Sequence, residues 1–469
     1  MVHELSGHQV QPITRHWFGL PFKMPKLHMT RKRWIILGIV PFVAVAIAVP
    51  IALAGQIADR LMCDRGSARS TLEGPVKQEW ATRYHCRGNS YSEANALAID
   101  QQGNIYVTGR GDCDGNPRYG DGYDYLTIKY NSKGKKLWAA RYDGGIRGDD
   151  VSTAIAVDTL NNVYVTGWSM SIERDHDELA TLKYDSHGNQ LWVARRSLGP
   201  QGYGAEAALD IDKRGNIYVT AQARAILYTA KYNGSDGIEI WVSTHESDDV
   251  SLRNPSMATD DRGNVYAGSA SSVVKYDAEG NELWRRTIKG NLSRGHCVMA
   301  LDLLGNVYGM SADYLAKYDA DGTEIWVQPI GVVGHPTAAA IDELGNIYAL
   351  GSMRVIKCTS DGVKLWDAPG GEDMVLDNSG NVYVTGLSEY EGDSRFPEWH
   401  YATAKYSPEG EQIWYARYRR GIGPDRATAV ALDASGNVYV TGYTTVKRCE
   451  SWFGEVTEYK DFLTIKYSQ

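Results

Sequence analysis

The sequence predicts an all-β chain: a β-propeller of eight four-stranded blades, closed by a strand from the front of the chain and preceded by a single transmembrane or signal helix. Three observations predict the ring. Gly/Asn-Asn-Ile/Val-Tyr recurs eight times, with its tyrosine at Tyr106, Tyr164, Tyr218, Tyr266, Tyr308, Tyr348, Tyr383 and Tyr439. A Lys-Tyr pair follows each, replaced in the sixth unit by Lys357-Cys358. A tryptophan also recurs, at Trp80, Trp138, Trp192, Trp241, Trp284, Trp326, Trp366 and Trp414. The composition agrees: 49 Gly, 30 Tyr and 13 Trp stand beside only 6 Phe.

Each unit holds four strand candidates. In the second they are Thr153–Val157, Asn162–Thr166, Leu179–Tyr184 and Leu191–Arg195. All are short and rich in β-branched or aromatic residues, and the last two alternate with a period of two. Between the first two lies a turn that elsewhere reads Asp-x-x-Gly-Asn. Between the last two lies Asp185-Ser186-His187-Gly188-Asn189. Such residues supply the side-chain caps and positive φ of tight hairpins. The first recognisable segment, Glu79–Tyr84, is an outer, tryptophan-bearing strand without its three partners. The last unit stops at Asp461–Tyr467, lacking an outer strand. Together they make one blade, and closure removes open sheet edges.

The remainder divides into residues 1–33, 34–55, 56–75 and the ring at 76–469. Trp34 to Gly55 is 22 residues without a charge, preceded by Arg31-Lys32-Arg33. As a helix it reaches about 33 Å, enough for a hydrocarbon core of about 30 Å. Two readings stand: a membrane anchor with the basic flank in the cytoplasm and the ring outside, or a signal segment cleaved near Ala54 to leave a secreted or periplasmic ring. Residues 1–33 are then a cytoplasmic segment and 56–75 a stalk.

Units one, two, seven and eight carry Asn-Ile/Val-Tyr-Val-Thr-Gly, as at Asn104–Gly109 and Asn437–Gly442. They also carry segments such as Asp124–Tyr130 (DYLTIKY) and Asp461–Tyr467 (DFLTIKY). In these the chain resembles the bacterial β-propeller repeat family, often called seven-bladed β-propeller repeats. The Leu/Ile-Trp ends are similar, more weakly, to quinoprotein-type eight-bladed repeats. The resemblance spans about residues 79–469 and implies an exported propeller without a particular chemistry.

With a net charge of −8 the chain excludes a nucleic-acid partner. No nucleophile elbow, zinc-binding helix, phosphate loop or Cys-x-x-Cys is present, so no catalytic residue is assigned. The repeated Trp and Tyr read as docking residues between blades. The repeated Asp100, Asp212, Asp302 and Asp433 read as turn caps.

Function is expected in the long connections of units one, two, seven and eight: 110–123, 168–178, 387–400 and 443–460. These units are consecutive once the ring is closed. Three of the four connections are net acidic, and they carry Tyr119, Tyr123, Trp168, Tyr390, Phe396, Trp399, Trp452 and Phe453. Aromatic residues on loops suit a protein or glycan partner at the cell envelope. The reading is a non-enzymatic extracytoplasmic scaffold and a monomeric ring. The alternatives are a glycan-active hydrolase or lyase using carboxylates of the same loops, and a structural envelope protein. Asp112, Asp114 and Asn116 alternate oxygen donors and make calcium the one cofactor hinted at, without a complete calcium loop. Cys86, Cys113 and Cys449 fall on one face near the seam and are disulfide candidates, as Cys86–Cys113 or Cys86–Cys449.

Overall fold

The computed structural model describes residues 68–86, 91–113, 122–145, 148–171, 176–199, 206–223, 226–246, 255–269, 272–288, 298–331, 333–386, 401–419, 424–449 and 456–469. Two strands come first, β1 (Arg69–Glu73) and β2 (Lys77–Tyr84). Blade 1 is β3 (Ser92–Ile99), β4 (Ile105–Gly111), β5 (Asp124–Tyr130) and β6 (Lys136–Tyr142). Blade 2 is β7 (Asp150–Val157), β8 (Val163–Met170), β9 (Asp177–Tyr184) and β10 (Gln190–Ser197). Blade 3 is β11 (Glu206–Ile211), β12 (Ile217–Ala223), β13 (Ile226–Tyr232) and β14 (Glu239–Glu246). Blade 4 is β15 (Ser256–Thr259), β16 (Val265–Ser269), β17 (Ser272–Tyr276) and β18 (Glu282–Thr287). Blade 5 is β19 (Val298–Leu301), β20 (Val307–Met310), β21 (Tyr314–Tyr318) and β22 (Glu324–Pro329). Blade 6 is β23 (Pro336–Ile341), β24 (Ile347–Gly351), β25 (Arg354–Cys358) and β26 (Lys364–Pro369). Blade 7 is β27 (Asp373–Leu376), β28 (Val382–Thr385), β29 (Tyr401–Tyr406) and β30 (Gln412–Arg419). Blade 8 is β31 (Arg426–Leu432), β32 (Val438–Cys449) and β33 (Val456–Ser468), with β2 as its outer strand.

The sheets number eight and all their neighbours pair antiparallel. The first strand of every blade touches the first strand of the next, and β31 touches β3, so the ring is closed. The seam is β2 against β33, with Thr82 opposite Thr464 and Ala81 opposite Ile465. Each blade faces its neighbour through apolar side chains. Between blades 1 and 2, Tyr106 and Tyr142 pack with Val163, Val165 and Leu182. Burying each such valine or leucine is worth about 1.5–3 kcal/mol.

The repeated polar residues form one device per blade. In the turn between first and second strands, Asp212 Oδ1 accepts the backbone N–H groups of Arg214 and Asn216, both at 2.8 Å. Its Oδ2 accepts the Asn216 amide and the Tyr218 hydroxyl. Burial pushes the Asp212 carboxyl up, but these donors outweigh it and hold it below the usual value. The tryptophan of the outer strand reaches the next blade. Trp138 Nε1 donates to Ser186 O at 3.1 Å, and Lys129 Nζ reaches the same carbonyl while lying over the Tyr106 ring. Beneath the indole sits Gly188, at φ 88°. A Cβ there would stand 2.7 Å from Trp138 Cδ2. The glycine is therefore needed for both backbone conformation and space.

Thr-Gly in the best-matched units also has a cause. The threonine hydroxyl meets that of the neighbouring strand in the buried sheet, as in Thr166–Thr181 at 2.9 Å and Thr441–Thr464 at 3.1 Å. The glycine faces a bulge in the first strand, and a Cβ on Gly167 would meet Val151 O at 2.1 Å. Blade 3 has no bulge there and carries Ala221.

Blade 8 lacks a turn between its third and outer strands, because β2 comes from the other end of the chain. The docking carbonyl is missing there, and Gln469 takes its place. Its side-chain Oε1 accepts Trp414 Nε1 at 3.0 Å and Lys405 Nζ at 2.8 Å. Its Nε2 donates to the Tyr383 hydroxyl at 2.6 Å and Gly436 O at 3.0 Å.

Three expectations are corrected. No helix forms among the described residues, and none of them offers a helix long and apolar enough to cross a membrane. The segment 34–55, on which the anchor or signal helix rested, lies outside the described residues. The membrane partner and membrane-anchored location rested on that helix and find no support among the described residues. Second, Arg69–Glu73, read as stalk, is β1, a fifth strand on the outer edge of blade 7. Third, most of 443–460 is not an irregular loop. β32 and β33 continue pairing to Cys449 opposite Val456, so it is an elongated hairpin.

Candidate functional site

The half-face carried by blades 7, 8 and 1 is where charged and aromatic side chains gather. Glu93, on β3, is the centre. Arg110 of β4 donates to its carboxylate through Nε at 2.9 Å and through Nη2. Lys460, from β33 across the seam, donates to the other oxygen. Burial pushes the Glu93 carboxyl up, and the two cations outweigh it, so it lies below its ordinary value. Each cation also covers a ring. Arg110 lies 4.6 Å from the centroid of Tyr123, and Lys460 lies 4.1 Å from that of Tyr443.

The row continues on both sides. Arg426 of β31 is paired with Glu372 of blade 7 at 2.6 Å, and stands opposite Tyr443 in the ladder. Tyr91 and Tyr459 lie 6.2 Å apart across the seam, and Tyr91 is 40% exposed. Beneath them, buried Asp461 accepts His85 Nδ1 at 3.0 Å and Arg83 Nη1 at 3.5 Å. On the blade 1 flank, the Tyr123 N–H donates to Asp149 Oδ1 at 3.0 Å. In blades 5 and 6 the corresponding connections are short. In blade 5 the connection from Met310 to Tyr314 is closed by Ser311 N–H to Tyr314 O at 2.9 Å. In blade 6 only Ser352 and Met353 separate the second and third strands.

Of the predicted contact residues, Tyr123 is in this row, half-buried under Arg110. Burial also raises its hydroxyl pKa. Trp168, on β8, is half-buried and packs toward blade 3 beside Leu198 and Ala207. It serves the packing between blades 2 and 3. Tyr119, Tyr390, Phe396, Trp399, Trp452 and Phe453 lie outside the described residues. So do Asp114 and Asn116, and of the calcium triplet only Asp112 is described, with its N–H on Tyr91 O at 3.0 Å. Cys86 and Cys113 are joined, with an S–S distance of 1.97 Å. Cys449 ends β32. The bond ties the end of β2 to blade 1, so it lies on one side of the seam and does not span it.

One cluster has no signal in the sequence. Asp124, Asp143 and Asp150 bring carboxylate oxygens within 4.8 Å of one another between blades 1 and 2. Asp124 and Asp150 each meet a protein donor. Arg141 Nε is 2.5 Å from Asp124 Oδ2, and the Gly144 N–H donates to Asp150 Oδ2 at 2.7 Å. Burial pushes the Asp150 carboxyl up. The seam network was equally hidden, since Glu93 and Lys460 are 367 positions apart. The signal available was the register: Glu93 and Arg426 are both six residues before the end of a first strand.

The fold is that of an eight-bladed β-propeller. The family described as Beta-propeller repeat matches residues 79–114 and 140–171. That is less than half of the chain, so it marks a likeness of units. The seven-bladed ring implied by the earlier resemblance is corrected: the sheets number eight. The chain is similar in structure to BamB from Moraxella catarrhalis, at 14% identity and TM-score 0.51, over 84% of this chain and 100% of that one. It is also similar to the C-terminal WD40 domain of Sif2, at 10% identity and TM-score 0.51, over 83% and 98%. These likenesses show the fold alone. No curated protein matches the chain.

Proposed function

We propose that this propeller is a non-enzymatic scaffold that binds a protein or a glycan through the half-face of blades 7, 8 and 1. One observation carries the reading. The row Glu372, Arg426, Tyr443, Lys460, Glu93, Arg110 and Tyr123 crosses the ring seam with its charges already compensated. A ligand meeting it encounters preordered guanidinium, ammonium and ring surfaces and loses little side-chain freedom in docking. Such a surface favours planar or hydroxylated partners that stack on rings and accept hydrogen bonds. The Cys86–Cys113 disulfide suits an oxidising compartment.

The test uses the full chain. One variant trims the β32–β33 hairpin by replacing 447–458 with Asn-Gly, a two-residue turn that keeps Val446 opposite Tyr459. A second replaces 387–400 by a short glycine-serine link, and a third carries Arg110→Ala with Tyr123→Ala. Each is screened with the parent on a glycan array and by chemical crosslinking to envelope proteins. Ligands of the parent are expected to be lost from at least the third variant. An identical ligand set for all four proteins refutes the proposal.

A further inference from the structure

Among the described sheets, that of blade 7 has a fifth strand and the others have four. β1 runs antiparallel to β30, from Arg69 opposite Arg419 to Glu73 opposite Tyr415. All five of its side chains are exposed. Its attachment therefore comes mainly from the main-chain ladder, which any copy of the same strand reproduces. At the open end two arginines stand directly opposite, an arrangement that weakens a strand pair. β30 does not need β1 to form: its other edge is held by β29, and Trp414, Ala416 and Tyr418 are buried in the ring. Removing β1 leaves a preformed unpaired edge, which invites another strand. The link from β1 to β2 is Gly74-Pro75-Val76, turned tightly by Val76 N–H to Gly74 O at 2.9 Å with Gly74 at φ 82°. Short, tightly turned links of this kind favour exchange between copies.

We propose that the outer edge of blade 7 is a strand-accepting surface, and that its partner is the Arg69–Glu73 strand of a second copy of this chain. Each ring gives β1 and receives β1, so the contact is twofold and closes on itself. β2 stays in its own blade 8, and the eight-sheet ring is unchanged. This surface lies at the rim, and the inference is independent of the ligand-binding half-face.

The test uses two full chains, one with Arg69→Cys and one ¹⁵N-labelled with Arg419→Cys. Both positions are exposed. The chains are incubated together at high concentration and then oxidised. A bond between the two substituted positions in differently labelled chains is intermolecular, and the proline variant below separates strand exchange from collisional oxidation. The expected product runs at twice the 51.9 kDa chain mass on a non-reducing gel, with the 69–419 bond mapped by mass spectrometry. Adding Thr71→Pro and Leu72→Pro to the first chain removes a ladder N–H whichever residue points inward, and is expected to cut the yield at least tenfold. Folded rings without the mixed bond overturn the proposal. So does a mixed bond that survives both prolines.

Discussion

Gln469→Ala is the substitution that most sharply separates the junction of blades 7 and 8 from the other blade junctions. At the other seven junctions the indole N–H meets a main-chain carbonyl, such as Ser186 O, Ala278 O or Ser360 O, which no substitution removes. At the junction of blades 7 and 8 the acceptor is a side chain. Removing it leaves the N–H of Trp414, a residue only 1% exposed, without its acceptor. An abandoned buried donor costs about 1–3 kcal/mol. Lys405 still has Asp377 at 3.9 Å, so its share is small. Water reaches the exposed end of Gln469, which places the total near the middle of the range, about 2 kcal/mol. Gln469→Glu keeps the acceptor and is expected to cost less. Ser186→Ala and Ser360→Ala leave the docking carbonyl in place and are expected to stay within about 0.5 kcal/mol. Urea unfolding followed by tryptophan fluorescence compares all four variants. If Gln469→Ala matches the two serine variants, the docking of blade 7 on blade 8 does not depend on this side chain and the reasoning fails.

Other consequences are equally concrete. Burial pushes the Asp373 carboxyl up to about 6, against which the N–H groups of Val430 and Met374 pull only partly. A raised carboxyl favours the fold fully below its unfolded value near 4, and that contribution is lost as pH rises to about 6. Asp373→Asn should therefore gain on the parent in thermal stability between pH 4 and pH 7, and a pH-independent difference contradicts the assignment. The carboxyls of Asp212, Asp342, Asp377 and Asp433 are held low, so their contribution is lost as pH falls below about 4, visible as acid unfolding in circular dichroism. Gly188→Ala adds a clash with Trp138 to the cost of a left-handed alanine, whereas Gly145→Ala at φ 94° meets nothing within 4 Å. Gly188→Ala should lower stability by about 1–3 kcal/mol more, measured by chemical denaturation. Opening the Cys86–Cys113 loop, with its separation of 27, should cost about 3–4 kcal/mol in Cys86→Ser/Cys113→Ser, and a reducing agent should then have no further effect.

The ring was legible because its determinants are local and repeated. Asp212, Gly188 and Trp138 act within a few residues or at a constant offset to the next blade, so they recur at fixed positions. The strand that closes blade 8 was legible because an orphan outer strand and an incomplete blade stood at opposite ends. The 443–460 segment reads as loop because it falls between the repeated segments, and the strand-forming residues of Thr444–Val446 and Val456–Tyr459 have no counterpart in the other units. β1 carried no signal, since its five side chains bury nothing and its pairing is made by the backbone. The Glu93–Lys460–Arg110 centre escaped for a different reason: its members belong to two blades at opposite ends of the chain, and only closure brings them together. Gln469 escaped because no repeat contains it.

Closure between β2 and β33 underlies both the half-face and the docking scheme, and one crosslink tests it most directly. Thr82 and Thr464 are opposite one another in that ladder. Oxidation of Thr82→Cys/Thr464→Cys is expected to give a folded monomer with an intramolecular bond, running faster on a non-reducing gel and stabilised against urea. A folded protein that leaves the pair unlinked, or links it only between molecules, contradicts an eight-bladed ring closed at this seam.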